Sequence, residues 1–349
     1  MRSFTRLKDN NKPINDASSI TLVTGGCGFI GSNFIEHYLA NHPDRAVLNV
    51  DSLTYAGRAN NRIINWHKDR YYELWKGDIN DLKNVDTKEF PKIDAVVHFA
   101  AESHVTRSEK NPRIFYRTNV EGTRILLEKA IELGVKKFIH VSTDEVYGPI
   151  VDGYFKESDK KRDNSQATSP YAKSKAEADE LAQTFFGKLP LIIVRPTNNF
   201  GPRQYPEKAL PRWITNLLLG EKAPVWGEGR QVRDWLYVED TFGAIDLLLE
   251  KGKWGEIYNI GANHQPEMNN KTIVLKAAKL LGKPESDVEL VPDPRPDHDF
   301  RYGVDTSKIK ALGWKTGDFA PQLKATVEWY RDNADWWKPL KAEAEKIYK

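Results

Sequence analysis

Tyr171 and Lys175 stand four residues apart, so a helix through them carries both side chains on one face. On that face an ammonium can lower the pKa of the phenol and hold a ribose while the phenolate accepts a proton, which is hydride-transfer chemistry. Lys173, the other lysine of the segment, points to another face. Upstream, Ser142-Thr143-Asp144-Glu145-Val146-Tyr147-Gly148 gathers hydroxyl and carboxyl groups directly behind the apolar run Phe138 to Val141. A solvated turn or a helix cap would also use Thr-Asp-Glu, and a Tyr and a Lys four apart occur in many helices. Their joint occurrence at a strand end with the glycine-rich segment below favours a site.

That segment is Thr24-Gly25-Gly26-Cys27-Gly28-Phe29-Ile30-Gly31, placed between the β-rich run Ile20 to Val23 and the amphipathic stretch Asn33 to Leu39. Gly25 permits a tight turn, Gly28 lets backbone approach a pyrophosphate, and Gly31 allows close helix packing, while the helix N-terminus attracts phosphate. The next apolar run, Val47 to Val50, ends at Asp51, where a carboxylate can accept from both ribose hydroxyls and repel a 2′-phosphate. NAD is therefore expected rather than NADP. Gly77-Asp78-Ile79 can offer a carboxylate and backbone to an adenine edge, or be a plain turn. His98 to His104 follows a further apolar run, with Ala100 and Ala101 small enough to let a cofactor pass. Cys27 reads as a small residue of the loop.

These residues need elements to hold them. Apolar runs at Ala46 to Val50, Ala95 to Phe99, Phe138 to Val141 and Leu191 to Val194 alternate with helical patterns such as Arg124 to Leu133 and Ala176 to Phe185. The alternation predicts an α/β fold: a Rossmann-type doubly wound parallel sheet, with a smaller C-terminal substrate-binding domain. The expected organisation is a polar extension over 1–19, a dinucleotide-binding domain over 20–200, and a substrate domain over 201–349. Within the last, 234–262 returns to the first domain as a helix and a strand. Trp329, Trp336 and Trp337 are expected to pack the C-terminus against the body.

With 349 residues, 40% hydrophobic and 29% charged, the chain can bury a full core. The net charge of +3 is spread over both signs without a like-charge run, which argues against nucleic acid or a membrane surface as partner. One cysteine excludes an internal disulfide framework and a thiolate metal cluster and fits a reducing, cytoplasmic setting; no metal site is expected. No apolar run reaches membrane-spanning length, and residues 1–19 lack the apolar stretch of a leader.

From about Ile20 to Trp337 the sequence resembles the extended short-chain dehydrogenase/reductases and, within them, the dTDP-glucose 4,6-dehydratases. The resemblance is carried by Thr24 to Ser32, Asp51 to Gly57, Ala100 to His104, Ser142 to Gly148, Tyr171 to Lys175, Asn198 to Pro202, Pro206 to Lys208, Arg233 to Asp240 and Arg295 to Asp299. The Thr-Asp-Glu triplet is what separates such dehydratases from related epimerases. The resemblance implies the catalytic set Thr143, Asp144, Glu145, Tyr171 and Lys175. Tyr171 would take the C4 hydroxyl proton, Glu145 the C5 proton, and Asp144 would protonate the departing C6 hydroxyl, with Thr143 on the C4 oxygen. It further implies NAD contacts at Phe29, Ile30, Asp51, Ser52, Leu53, Thr54, Asp78, Ile79, Ala100, Ala101, Ser103, Thr118, Tyr171, Lys175 and Asn199, beside Gly25, Gly28 and Gly31. A nucleotide-sugar substrate would meet His104, Thr143, Asn198, Lys208, Arg233, Asn270, Arg295 and His298; the cations among them suit a diphosphate.

The family pattern Ser-His-Val-Asp-Arg-Ser reads Ser103-His104-Val105-Thr106-Arg107-Ser108 here, losing a charge at Thr106, and His264 to Asn270 is one residue longer than usual. The same chemistry on UDP-glucose or another nucleotide sugar, an epimerase or decarboxylase, and an idle NAD-binding protein stay open as alternatives. Finally, the resemblance implies a homodimer formed by the helical stretches Asn119 to Leu133 and Pro170 to Phe186, whose apolar stripes hold Leu126, Leu127, Ile131, Ala178, Leu181 and Phe185.

Overall fold

The central strands of this chain are short apolar runs buried on both faces, and they pair in an eight-stranded sheet. The structure, a computed structural model, describes residues 4–7, 12–57, 61, 70–159, 169–293 and 300–348. The elements up to residue 196 are β1 (Thr5–Leu7), β2 (Ser19–Thr24), α1 (Phe29–Asn41), β3 (Arg45–Asp51), β4 (Tyr71–Lys76), β5 (Ala95–His98), α2 (Val105–Lys110), α3 (Pro112–Tyr116), α4 (Thr123–Glu132), β6 (Lys137–Val141), α5 (Pro170–Gln183) and β7 (Leu191–Pro196). The eight-stranded sheet runs β1-β4-β3-β2-β5-β6-β7 and ends on the strand Glu256–Ile260. From β4 through β7 the neighbours are parallel, whereas β1 is antiparallel to β4.

The chain divides into two compact units. The first comprises Met1–Val146, Lys161–Arg195 and Phe242–Tyr258. Leu22, Leu48, Val96, Phe138 and Leu191 are buried in its core and explain why its central strands read as unbroken apolar runs. The strand order reverses direction between β2 and β5, which places a ligand-binding crevice at the carboxyl ends of these strands. Local signals start the helices: Gly28 is the N-cap of α1, and Ser169 caps α5 by accepting from Ala172 N–H at 3.1 Å, with Pro170 in the first turn.

The second unit comprises Tyr147–Lys160, Pro196–Thr241 and Asn259–Lys349. Its core joins the helices Ala209–Leu219, Asn270–Leu280 and Phe319–Asp332 through Leu210, Trp213, Ile273, Leu323 and Tyr330. Small two-stranded sheets complete it, among them Trp235–Tyr237 parallel to Asn198–Phe200. Trp337 is buried there and donates to the Tyr330 carbonyl at 2.6 Å, while Trp329 and Trp336 meet edge to face on the same core.

Three expectations need correction. Residues 1–19 are not only a polar extension: Thr5–Leu7 is an edge strand, invisible to a pattern search because it has three residues and two exposed positions. Residues 147–160 belong to the second unit, since Ile150 N–H bonds to Arg301 O, Phe155 N–H to Gly303 O and Tyr147 Oη to Asn259 Oδ1. The returning segment is the shorter Phe242–Tyr258, because Trp235–Tyr237 pairs within the second unit instead.

Candidate active site

The glycine-rich loop closes backbone on backbone. Gly25 sits at φ +70°, and a Cβ there would collide with the backbone of Ala100; a Cβ on Gly31 would collide with Gly25 O. Phe29 and Ile30 open α1, so the loop ends at a helix N-terminus. Asp51 ends β3 and is buried, and its carboxylate accepts from Cys27 N–H at 2.8 Å and Leu53 N–H at 2.7 Å. Burial nonetheless holds its pKa above the ordinary carboxylate value. Leu53 takes φ +52°, a conformation unusual for a branched residue, between the exposed Ser52 and Thr54. Cys27 is buried beside Asn49. Glycine clearance, helix N-terminus and terminal carboxylate together fit a dinucleotide such as NAD.

Asp78 lies past β4, and the Gly77 N–H before it bonds to Asp51 O at 3.0 Å. The Asp78 carboxylate caps the turn Ile79–Asn84 through Asn80 N–H and pairs with Arg117 at 2.7 Å. It is thus engaged inside the protein, and the backbone here is the better partner for a base edge. Ile79 is buried, Ala100 half-buried, and Ala101 and Ser103 exposed. Thr118 is half-buried in a π-helical stretch, Arg117–Gly122, that joins α3 to α4.

The hydroxyl and carboxyl cluster is brought to the Tyr171 ring. Thr143 and Asp144 are buried, so the triplet is not a solvated turn. Thr143 Oγ1 does act as a local cap, accepting from Glu145 N–H at 3.3 Å, and it donates to Asp144 Oδ1 at 3.2 Å. Burial, first, and then the Glu145 charge raise the Tyr171 phenol well above its ordinary pKa, against a lowering hydrogen bond with Thr143. The Lys175 ammonium donates to the Val141 carbonyl at 2.8 Å. Burial brings Lys175 itself down to about 8, with Asp179 acting the other way.

Several residues of this web escaped the sequence reading. Asn119, buried in the π-helical stretch, accepts from Glu102 N–H at 2.8 Å and donates to Glu102 O at 3.0 Å and Ser174 Oγ at 2.9 Å. Ser174 in turn donates to Tyr171 O at 2.8 Å. Asn119 therefore ties the loop after β5 to the helix carrying Tyr171 and Lys175. Thr123 Oγ1 donates to Asn119 O, which makes it the acceptor for His98 Nε2–H at 2.9 Å and leaves His98 Nδ1 to accept from Thr24 at 2.7 Å. Asp179 and Arg195 form a wholly buried bidentate pair at 2.7 and 2.9 Å. The available signals were an Asn shortly before the apolar helical run Ile125 to Leu127, an Asp four residues past Lys175, and an Arg inside an otherwise apolar strand.

His104 is buried at the start of α2. In the second unit, Asn198 and Asn199 lie on the strand Asn198–Phe200, and Asn199 accepts from Thr241 Oγ1 at 2.5 Å. Lys208 is the N-cap of the helix Ala209–Leu219, and Asn270 opens the helix Asn270–Leu280. Arg233, lying over the Tyr302 ring at 4.8 Å, lines a pocket with Asp234, Asn263 and His264. Asp234 is held by Thr197 at 3.0 Å and Asn263 N–H at 2.9 Å. Arg295 and His298 lie outside the described residues. Among the described residues no group of His, Cys, Asp or Glu could hold a metal ion, and no helix is long and apolar enough to cross a membrane.

Comparison with known proteins bears on the same residues. The chain is 43% identical over 332 residues to the dTDP-glucose 4,6-dehydratase of Streptomyces niveus, covering 93% of this chain and 96% of the relative. It is likewise 43% identical over 312 residues to the low-salt glycan biosynthesis protein Agl12 of Haloferax volcanii, covering 88% of this chain and 97% of the relative. Among solved structures, DesIV, a dTDP-glucose 4,6-dehydratase from Streptomyces venezuelae crystallised with NAD, superposes with a TM-score of 0.85 at 43% identity over 92% of this chain and 100% of that one. A family model described as the NAD dependent epimerase/dehydratase family matches residues 21–261, a range that takes in the glycine loop, Asp51, the Thr-Asp-Glu triplet and the Tyr171-Lys175 helix. The sheet order, the loop and the matched range agree, and the chain belongs to the NAD-dependent epimerase/dehydratase family.

Proposed function

We propose that the chain dehydrates dTDP-glucose to the 4-keto-6-deoxy sugar nucleotide in an NAD-dependent reaction that leaves NAD unchanged at the end. The observation that carries this reading is the buried Thr143-Asp144 pair beside Glu145 and Tyr171, two carboxyl groups where a simple oxidoreductase needs none. Relatives of that name at about 40% identity or more over most of the chain support it. NAD would be held through Gly25, Gly28, Phe29, Ile30, Gly31, Asp51 to Thr54, Ile79, Ala100, Ala101, Ser103, Thr118 and Lys175. The family resemblance assigns Asn199 to the cofactor and Asn198, Lys208, Arg233 and Asn270 to the sugar nucleotide.

When bound, NAD supplies a hydride acceptor at C4 and a hydride donor at C6. Tyr171 removes the C4 hydroxyl proton, with Thr143 bonded to the same oxygen. Glu145 takes the C5 proton, made acidic by the C4 ketone, and Asp144 gives a proton to the departing C6 hydroxyl; Glu145 then returns its proton to C5. Two adjacent carboxyls in opposite roles need pKa values pushed apart, and the two sit in different surroundings, Asp144 buried and Glu145 half-buried. The raised phenol means that Tyr171 acts as a base only once added positive charge or hydrogen bonding lowers it.

Turnover of dTDP-glucose and UDP-glucose, followed side by side by product analysis, tests the reading. A 4-keto-6-deoxy product from the first and little from the second is expected. A 4-epimer, or net release of NADH, would overturn it, and preference for UDP-glucose would move the substrate while keeping the chemistry. The reading also includes a homodimer and a cytoplasmic setting, the latter in keeping with the one buried cysteine.

A further inference from the structure

The family-matched region begins at residue 21, yet the sheet begins earlier, with β1 added antiparallel outside β4. The pairing runs Thr5 with Lys76, Arg6 with Trp75 and Leu7 with Leu74, so the next step of the register sets Phe4 against Gly77. The contact is intimate: a Cβ on Gly77 would strike the Phe4 ring. Phe4 also meets the Trp75 ring at 6.2 Å, and Arg6 lies over that ring at 4.5 Å while donating to Glu89 O at 3.2 Å. Gly77 is a junction. Its N–H holds Asp51 O at 3.0 Å, and the residues after it are Asp78 and Ile79. Asp51 carries the carboxylate suited to the ribose, and Gly77 to Ile79 the backbone suited to the adenine edge.

We propose that Phe4 and the strand Thr5–Leu7 form a brace for the adenosine half of the NAD site, with Phe4 a positioning residue acting through Gly77 on Asp51 and Asp78. Without them the outer edge of β4 keeps only the Lys12–Tyr71 bridge, and the Gly77 turn loses the ring that covers it. The brace touches no reacting atom, so its effect falls on how long the cofactor stays rather than on proton transfer. It rests on NAD binding in the first unit and not on the identity of the sugar nucleotide.

The test uses the purified holoenzyme. NAD dissociation is timed by exchange against labelled NAD, and thymidine diphosphate binding is measured on the same samples. Phe4→Ala is expected to speed NAD loss by about 5- to 10-fold, the scale of one lost aromatic contact. Deletion of residues 1–11 should do at least as much, Phe4→Leu should recover most of the retention, and thymidine diphosphate affinity should stay within about twofold. NAD loss within twofold of the parent in a folded Phe4→Ala protein overturns the proposal. So does an equal fall in NAD retention and thymidine diphosphate binding, which would mark a general loss of structure. Should the deletion fail to fold, Phe4→Ala and Phe4→Leu decide alone.

Discussion

Asp144 and Glu145 differ by one position and in environment, Asp144 being buried and Glu145 half-buried. If they divide acid and base roles, Asp144→Asn and Glu145→Gln should each lower dehydration by about 10²-fold or more in kcat. C4 oxidation should survive in both, seen as enzyme-bound NADH that builds up on adding dTDP-glucose; undiminished product in either variant would reassign the roles. A second residue-scale consequence concerns His98 and His140. Burial, and then neighbouring positive charge, push His140 from 6.5 down to about 3, and His98 well below its ordinary value. The unfolded chain then binds more protons than the folded one as pH falls below 6.5, so stability is lost on acidification through that range. Each histidine should cost on the order of 1 kcal/mol by about pH 5.5. Urea titrations at that pH and at neutrality should show the fall, reduced by about half in His140→Leu.

The elements show what was legible. Strands such as Leu191–Pro196 announce themselves as apolar runs, and the glycine spacing marks the β2 to α1 turn, because in both cases a local pattern and the tertiary demand coincide. The π-helical stretch Arg117–Gly122 does not, since widening of a helical turn follows from what its side chains must reach rather than from propensity. Asn119 is the reason to look there. Asn119→Ala removes the hydrogen bonds to both backbone groups of Glu102 and to the Ser174 hydroxyl, costing on the order of 2–4 kcal/mol. Thermal melts should register that loss. Because the same side chain spans the loop after β5 and α5, kcat should fall while affinity for thymidine diphosphate holds; a destabilised variant with unchanged kcat would make Asn119 purely structural.

For the whole molecule, the six positions assigned to a dimer face do not act alike. Leu126, Leu127 and Ala178 are buried within the first unit, Leu181 and Phe185 are half-buried, and Ile131 stays 44% exposed. A symmetric dimer would bury Ile131 twice over. Sedimentation at micromolar concentration should give about twice 39.9 kDa, and Ile131→Asp should shift it toward the single chain; a parent protein sedimenting at the single-chain mass would end the dimer reading.

The interleaving of the two units bears on synthesis. The first unit is entered at the N-terminus, left at Val146, resumed at Lys161 and finished only with Phe242–Tyr258. A nascent chain must therefore wait until residue 258 has cleared the ribosome before that unit can close, although most of its sheet emerged long before. At translation rates of roughly 5–20 residues per second the delay after Val146 is on the order of ten seconds. During that time β7 presents an edge that the strand Glu256–Ile260 has yet to cover. Ribosome-bound fragments ending near residue 200 should therefore bind holdase chaperones, and fragments extended past residue 260 by the length of the exit tunnel should be released from them.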